Sequence, residues 1–257
     1  MSRWGISFAS FKKVCTLPRL ANMRDVLECV AGSEEASQFR WRGGEKTVYK
    51  KVLPKLPYPP SKLHTTQEKV SVLLQTALGG LPIGELKADA SNPSMELMTL
   101  WPIAARTAKA IADVQLDRRD GGCKSGLDLV RALQARTWEG SASVLRQIKG
   151  IGEKAYQILD AAGISSLEEF SKQDYHRIQM LITPGVIQAK RMITEAKGFP
   201  RFGVQVRIEK EEITKEGVKV HGAVEVELKN LSTVRLDKEV RWHCSLLTLK
   251  NDNEYIE

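Results

Sequence analysis

The sequence has few cysteines and no long apolar run, and each shortage excludes a class of protein. Its 257 residues include 4 cysteines. They stand at Cys15, Cys29, Cys123 and Cys244 without a C-x-x-C pair, which fits neither zinc-ligand spacing nor a disulfide framework. No stretch approaches the roughly 18 apolar residues of a membrane-spanning helix, and the N-terminus lacks a signal-peptide core. We therefore expect a soluble chain without a membrane partner, not secreted, in the cytosol or the nucleus.

Motifs for catalysis or cofactor binding are also missing. Gly43-Gly44-Glu45-Lys46-Thr47 departs from the phosphate-binding loop G-x-x-x-x-G-K-[ST], because Glu45 stands where the second glycine belongs and no hydrophobic strand precedes it. The 4 histidines have no i, i+4 pairing, and no serine lies in a G-x-S-x-G elbow. The sequence predicts no catalytic residue, metal or cofactor, and we expect the chain by itself neither to bind ATP tightly nor to hydrolyse it.

Positive charge is present and unevenly placed. The net charge is +8, and residues 1–62 hold 12 basic against 5 acidic side chains. A basic patch in this quarter is suited to the phosphate backbone of a nucleic acid. The alternative is that these cations solvate a short helical segment at the start of the chain.

Hydrophobic periodicity predicts helices through the first two thirds of the chain. Thr65-Thr66-Gln67-Glu68 has the form of a capping box for a helix that Gly79-Gly80 ends. A longer series follows Asn92-Pro93-Ser94, with Pro102 expected to kink or restart it. Ser125-Gly126-Leu127-Asp128 is expected to cap a third helix. Upstream, Asn22–Cys29 is predicted to be a short helix.

The periodicity divides the chain into four predicted parts and gives an α+β multidomain fold. A helical lead-in with a proline-rich linker covers residues 1–60, and a helical bundle covers residues 61–140. A helix-hairpin-helix domain covers residues 141–197. In residues 198–257 the period changes to two, as at Val218 and Val220, and we expect an immunoglobulin-like antiparallel β-sandwich there. Because such a sandwich needs roughly 100 residues, this domain is expected to be truncated or reduced. We expect Trp138 and Phe170 to be buried.

Several further residues are expected to alternate in the β part. They are Val204, Val206, Ile208, Val224, Val226, Leu228, Trp242 and Cys244.

The segment Gln147-Ile148-Lys149-Gly150-Ile151-Gly152-Glu153-Lys154 has the form of a helix-hairpin-helix turn. Its glycines suit a tight turn whose backbone N–H groups face a phosphate at the start of the second helix. Gly152→Val is expected to damage binding, because a β-branched residue resists the positive-φ conformations that such turns use. Glu153 places a negative charge near the expected phosphate, so a packing role for the hairpin stays open.

The order of these segments resembles the Sec-sixty-three-type homology region, the C-terminal module of certain superfamily-two helicases. The resemblance rests on the strings Phe39–Thr47, Lys69–Gln75, Ala135–Ser141 and Gln147–Gly152. Among its carriers the sequence is most similar to meiotic crossover DNA helicases of the Mer-three type. The resemblance implies a parent that is an ATP-dependent DNA helicase acting in meiotic recombination in the nucleus, and this chain contains none of its motor.

The resemblance also implies a set of nucleic-acid-binding residues. In related helicases a long bundle helix lies against the translocating single strand, and the matching helix here is Met95–Val114, whose only cations are Arg106 and Lys109. The hairpin contributes Lys149, Gly150, Ile151, Gly152 and Lys154, and the basic lead-in contributes Arg40, Arg42 and Lys46.

Two function classes follow. The first is an accessory module that binds single-stranded or branched DNA without sequence preference, beside the motor domains of the same parent chain. The second is a protein-interaction platform that recruits recombination or mismatch-repair-type proteins. A related alternative is the scaffold module of a spliceosomal RNA helicase-type protein with no direct nucleic-acid role.

Overall fold

Contacts divide the chain into two compact units in the computed structural model. The first contains Met1–Gln147, Ile151–Ser166 and Cys244–Glu257, and the second contains Ile148–Gly150 and Leu167–His243. Side chains are described for residues 3–88 and 91–199. Beyond them the structure describes the backbone of six short strands, at residues 202–203, 210–214, 217–221, 229–230, 249–250 and 254–255.

Seven α-helices and four short 3-10 turns build the described helical part of the first unit. The helices are α1 (Phe8–Cys15), α2 (Met23–Ala31), α3 (Glu45–Val52), α4 (Thr66–Leu78), α5 (Pro93–Asp117), α6 (Cys123–Ala135) and α7 (Glu153–Ala161). The turns are Glu34–Gln38, Leu53–Lys55, Ile83–Leu86 and Ala142–Gln147.

Helix α4 lies in the middle of the first unit. Every residue from Lys69 to Leu78 is buried, because α2, α3 and α5 all pack against it. The predicted capping box is confirmed: the Thr65 side chain accepts from the Glu68 N–H, and the Glu68 carboxylate accepts from the Thr65 N–H. Gly79 ends the helix as predicted.

Helix α5 is the longest element and packs most extensively against α6. It begins after an Asn92 cap and runs continuously through Pro102, so the restart expected at this proline does not occur. Gly126 of α6 permits the close crossing, since a Cβ at that position would lie 3.0 Å from the Ala112 Cα. Small side chains therefore set the spacing of the two helices.

Three details of the predicted helices can be compared with the structure. The short helix predicted over Asn22–Cys29 is confirmed as α2, and Asn22 is its N-cap in a full capping box with Asp25. The cap predicted at Ser125 is wrong, because α6 begins two residues earlier with Gly122 as its N-cap. Trp138 is only half-buried, whereas Phe170 is buried as predicted.

The proline-rich segment after α3 is held against α4 by one buried side chain. Gln75 Oε1 accepts from the Tyr58 N–H at 2.8 Å, and Gln75 Nε2 donates to the Tyr58 carbonyl at 2.8 Å. Arg24 of α2 donates to the Pro59 carbonyl at 2.9 Å. Prolines have no N–H to offer a helix or sheet, and here side chains bind the Tyr58 N–H and the Tyr58 and Pro59 carbonyls.

Three helices form the described helical part of the second unit. They are α8 (Leu167–Ser171), α9 (Tyr175–Ile182) and α10 (Val186–Gly198). Helix α10 packs against both α8 and α9, and its buried residues are Ala189, Met192, Ile193 and Ala196.

The predicted immunoglobulin-like β-sandwich over residues 198–257 is wrong, because the fold is dominated by helix. Among the described strands the structure has only two-stranded antiparallel ladders. They pair β1 (Phe202–Gly203) with β4 (Lys229–Asn230), β2 (Lys210–Thr214) with β3 (Gly217–His221), and β5 (Leu249–Lys250) with β6 (Glu254–Tyr255).

The alternation of valines explains why a strand was correctly predicted and why the β-sandwich was not. Val218 and Val220 lie in β3, so a period of two did indicate a strand. A sandwich also needs two multi-stranded sheets packed face to face. Alternation within one strand does not tell how many other strands pair with it. The other residues predicted to alternate, from Val204 to Cys244, lie outside the described residues.

Candidate nucleic-acid interface

The three cations predicted in the basic lead-in are all exposed, but one of them is paired with a carboxylate of the chain. Arg40 is exposed, but its carbonyl oxygen accepts a hydrogen bond from Lys69 Nζ at 3.0 Å. The Arg42 side chain is 49% exposed, and its guanidinium lies 3.5 Å from a carboxylate oxygen of Glu96. Lys46 is exposed, with its Nζ 5.6 Å from the centre of the Trp41 ring. At least Arg42 is therefore already engaged within the chain.

A buried ion-pair network lies beneath these residues. Lys69 of α4 is 0% exposed, and its Nζ lies 2.8 Å from Glu45 Oε2 and 3.0 Å from Glu96 Oε2. With the Arg40 carbonyl, the two carboxylates provide acceptors for the three N–H groups of Lys69. Arg42 and Lys69 together balance the two carboxylates, which is the condition for tolerating buried charge.

Aromatic side chains border this network. The Trp41 Nε1 donates to the Thr65 carbonyl at 2.8 Å, and the Trp41 ring meets the Tyr49 ring edge-on with centroids 5.2 Å apart. Burial raises the pKa of Tyr49, and the charges of Glu45 and Glu96 raise it further. The phenol therefore stays neutral and serves to pack the network.

Glu45 has a structural role in the segment Gly43–Thr47, whose sequence departs from that of a phosphate-binding loop. It is the first residue of α3, and its Oε2 accepts from the Arg42 N–H at 2.7 Å. Gly44 precedes it in the left-handed region, at φ +78°. The Glu45 carboxylate thus closes the turn, and the same carboxylate contacts Lys69.

Helix α5 presents the second predicted group of cations. Arg106 and Lys109 are both exposed and lie one turn apart, and in the described part of the chain neither has an ion-pair partner. The exposed face begins with Met95 and Met98, which are 60% and 70% exposed. This face therefore changes from apolar to basic along the helix.

The N-terminal segment covers the next part of α5. Asp113 accepts from the Arg3 guanidinium at 2.9 Å and from the Trp4 Nε1 at 2.7 Å. The Trp4 ring stacks on Phe11 of α1, with centroids 5.6 Å apart. The uncovered cationic part of α5 is consequently short, and it centres on Arg106 and Lys109.

The predicted hairpin turn is present, although its two glycines differ. Gly150 has φ +97°, so it needs the conformational freedom of glycine. Gly152 has φ −92° and ψ −174°, which is extended backbone open to any residue. The positive φ expected at Gly152 is therefore wrong. Ile148 and Ile151 are buried and anchor the turn.

Charged groups around the turn are exposed to different extents. The side chains of Lys149 and Lys154 are exposed, and Glu153 is half-buried at the start of α7. Neither lysine has an ion-pair partner within the described residues. The backbone N–H of Lys149 donates to Glu195 of α10, with both carboxylate oxygens at 3.2 Å.

Sequence reasoning missed Lys69, Glu96 and Glu195. A signal for Lys69 existed, because it is the one charged residue in the mostly apolar stretch Lys69–Leu78 of α4. Glu195 has no such signal: it lies 46 residues from Lys149, on a helix whose polar residues all fit a solvated face. Only the packing of the chain reveals this contact.

The described residues contain no cluster of three His, Cys, Asp or Glu side chains able to hold a metal ion. Burial raises the pKa of Cys29 to about 11 and that of Cys123 to about 11, so both thiols stay protonated near neutral pH. Within the described ranges no helix is both long and apolar enough to cross a membrane.

Comparisons with known proteins agree with the helical architecture. A family model described as the Sec63 Brl domain matches residues 1–253. The ATP-dependent DNA helicase MER3 of Saccharomyces cerevisiae is 27% identical over 99% of the chain, and its homolog in Arabidopsis thaliana is 22% identical over 85%. The probable ATP-dependent DNA helicase HFM1 of Homo sapiens is 21% identical over 80%. The chain spans 22%, 20% and 14% of the lengths of these three relatives.

Proposed function

The chain belongs to the Sec63 Brl domain family, and from that premise we propose that it is the non-motor accessory module of an ATP-dependent DNA helicase acting in meiotic recombination in the nucleus. It binds single-stranded or branched DNA through backbone phosphates, beside the motor domains of its parent protein. The names of the yeast, plant and human relatives support the helicase assignment. The division into parts at residues 60, 140 and 197 remains a prediction.

The observation that carries DNA binding is a set of exposed cations that no described carboxylate neutralises. Arg106 and Lys109 lie side by side on α5, and Lys149 and Lys154 flank the hairpin turn in sequence. An exposed cation without an internal partner loses little on meeting a phosphate, and it gains by releasing counterions. Arg42, by contrast, would have to leave Glu96.

We assign the four cations the main role and the lead-in residues Arg40 and Lys46 a lesser one. Gly150, Ile151 and Gly152 shape the turn. Sequence-independent binding follows, because backbone phosphates carry no base information.

Fluorescence anisotropy with a labelled single-stranded oligonucleotide tests the proposal. We expect Arg106→Ala/Lys109→Ala and Lys149→Ala/Lys154→Ala each to weaken binding and to reduce the slope of log affinity against log salt by about 1.4, or roughly 0.7 per lost phosphate contact. The control is Lys87→Ala/Lys124→Ala, which removes two exposed lysines outside the predicted set and should leave the slope nearly unchanged.

The competing function is a protein-interaction platform for recombination or mismatch-repair-type proteins. The exposed Met95 and Met98 beside the cations of α5 favour it, because exposed apolar side chains in a patch mark interaction surfaces. A chain with negligible DNA affinity at physiological salt, and equal slopes in all three double variants, would contradict DNA binding and favour the platform.

A further inference from the structure

A carboxylate from elsewhere in the chain already contacts the hairpin turn. Glu195 projects from α10 to the backbone N–H of Lys149, and that N–H lies 3.2 Å from each carboxylate oxygen. Lys149 and Glu195 belong to the same compact unit. A carboxylate thus occupies a position where a phosphate oxygen would accept a hydrogen bond from the turn.

The approach of α10 to the turn depends on the missing side chain of Gly150. A Cβ at Gly150 would lie 2.8 Å from the Met192 Cε and 2.9 Å from the Gln188 Nε2. Gln188 Nε2 also lies 3.5 Å from the Lys149 carbonyl oxygen. Gln188, Met192 and Glu195 are spaced i, i+4 and i+7, so they share one face of the helix. This face holds the Lys149 backbone at both its carbonyl and its N–H.

Carboxylate and phosphate oxygens are the same kind of partner for a backbone N–H, since both are anionic acceptors. The Glu195 side chain is exposed, so water can replace it and the contact can exchange. We propose that Glu195 is an internal competitor for nucleic-acid phosphate at the Lys149–Gly150 turn. This inference rests on the proposed DNA binding and identifies the residue that limits it.

Other contacts of the turn do not involve Glu195. Ile148 is buried, Gln188 contacts the Lys149 carbonyl, and the Lys149 side chain is exposed and can meet an incoming phosphate. The competitor also repels: a negative charge within a few ångströms of a phosphate opposes its binding, and salt screens that repulsion. Glu195 therefore weakens binding most at low salt.

Glu195→Gln tests the proposal in the full chain, because glutamine keeps an oxygen acceptor for the Lys149 N–H and removes the charge. We expect affinity for a labelled single-stranded oligonucleotide to rise about fivefold at low salt and the gain to shrink as salt increases. Glu168→Gln is the matched control: it removes the same charge in the same unit, from a carboxylate whose described ion pair is with Lys172. It should change affinity much less.

The outcomes separate this inference from the proposed function. If Lys149→Ala/Lys154→Ala weakens binding and Glu195→Gln has no effect, the competitor is overturned and DNA binding stands. Equal gains from Glu195→Gln and Glu168→Gln also overturn it, since they would reflect net charge alone. If no variant or parent chain binds DNA, both proposals fail.

A second readout examines the contact itself. In amide NMR spectra of the full chain, the Lys149 N–H signal should shift on Glu195→Gln and should shift again, in the unmodified chain, when single-stranded DNA is added. If the Lys149 N–H signal shifts neither on Glu195→Gln nor on addition of DNA, the proposal is overturned even if the affinity changes.

Discussion

Two carboxylate contacts in this molecule differ mainly in their exposure to water. In the first unit Lys69 is 0% exposed and meets Glu45 and Glu96. In the second unit Glu195 meets the Lys149 N–H at the surface. Breaking the buried contact leaves charges that cannot recover their hydration, whereas water or a ligand can replace the exposed one. We therefore regard the buried network as structural and the exposed contact as available to a ligand.

The strongest test of this contrast is Lys69→Met. It leaves the Glu45 and Glu96 carboxylates without their buried cation, and we expect a loss of about 3–5 kcal/mol in unfolding free energy. Urea unfolding followed by far-ultraviolet circular dichroism measures it. The matched control is Lys124→Met, which removes an exposed lysine from α6 and should change stability by less than about 0.5 kcal/mol.

A further variant separates buried charge from packing. Adding Glu45→Gln and Glu96→Gln to Lys69→Met removes the uncompensated carboxylates, and we expect most of the lost stability to return. If the triple variant is no more stable than Lys69→Met alone, the loss comes from packing around α4 and the ion pairs are not the cause.

The next effect in size concerns a buried neutral side chain. Gln75→Leu leaves the Tyr58 N–H and carbonyl without the partners they have at 2.8 Å, which should cost about 1–3 kcal/mol. Gln134→Leu on the exposed side of α6 is the control and should have little effect. Equal unfolding midpoints for the two variants would show that the proline-rich segment does not depend on Gln75.

These residues also show how far the sequence alone could reach. Local signals sufficed for the ends of α4, because the Thr65–Glu68 capping box and Gly79 act within a few residues. Local signals failed for Arg42, whose positive charge predicts a DNA contact. The structure shows that Glu96, from a helix much later in the sequence, lies beside it. Counting cations cannot distinguish a charge that faces a partner in the chain from one that faces solvent.

The hairpin and the β-sandwich illustrate the same limit. The glycines of the turn could be read from sequence, but only the structure shows that Gly150 has the positive φ and that a Cβ there would meet Met192. Strand alternation located β3, yet the number of strands in a sheet is fixed by pairing between distant segments. Contacts between distant parts of the chain thus determine features that local sequence patterns do not specify, such as the number of strands in a sheet.

A smaller effect is expected at Glu35, which is half-buried and so lies in exposure between the buried Lys69 network and the exposed Glu195 contact. Partial burial raises the pKa of its carboxyl, but hydrogen bonds from the Ser10 hydroxyl and the Ser7 N–H lower it by more, so the pKa lies below the ordinary value of 4.5. A depressed folded pKa gives stability that is present above the unfolded value and is lost as pH falls through the folded value.

We therefore expect the stability advantage of the parent chain over Glu35→Gln to be less than about 1 kcal/mol near neutral pH. It should decline as pH falls below about 4.5. Urea unfolding at several pH values measures the difference. An advantage that grows in acid would show that the Ser7 and Ser10 contacts do not stabilise the ionised carboxylate.

The smallest effect is expected at an ion pair on the surface. Lys55 Nζ lies 3.1 Å from Glu85 Oε2, with the two side chains 50% and 43% exposed. Water screens such a pair, and ordering two long side chains offsets the attraction, so a double-mutant cycle with Lys55→Ala and Glu85→Ala should give a coupling of about 0–1 kcal/mol. The same cycle on Lys69 and Glu45 should give a clearly larger coupling, because neither group is open to water. If the two couplings are equal, exposure does not distinguish structural from exchangeable contacts in this molecule, and the assignment of Glu195 to the second class loses its physical basis.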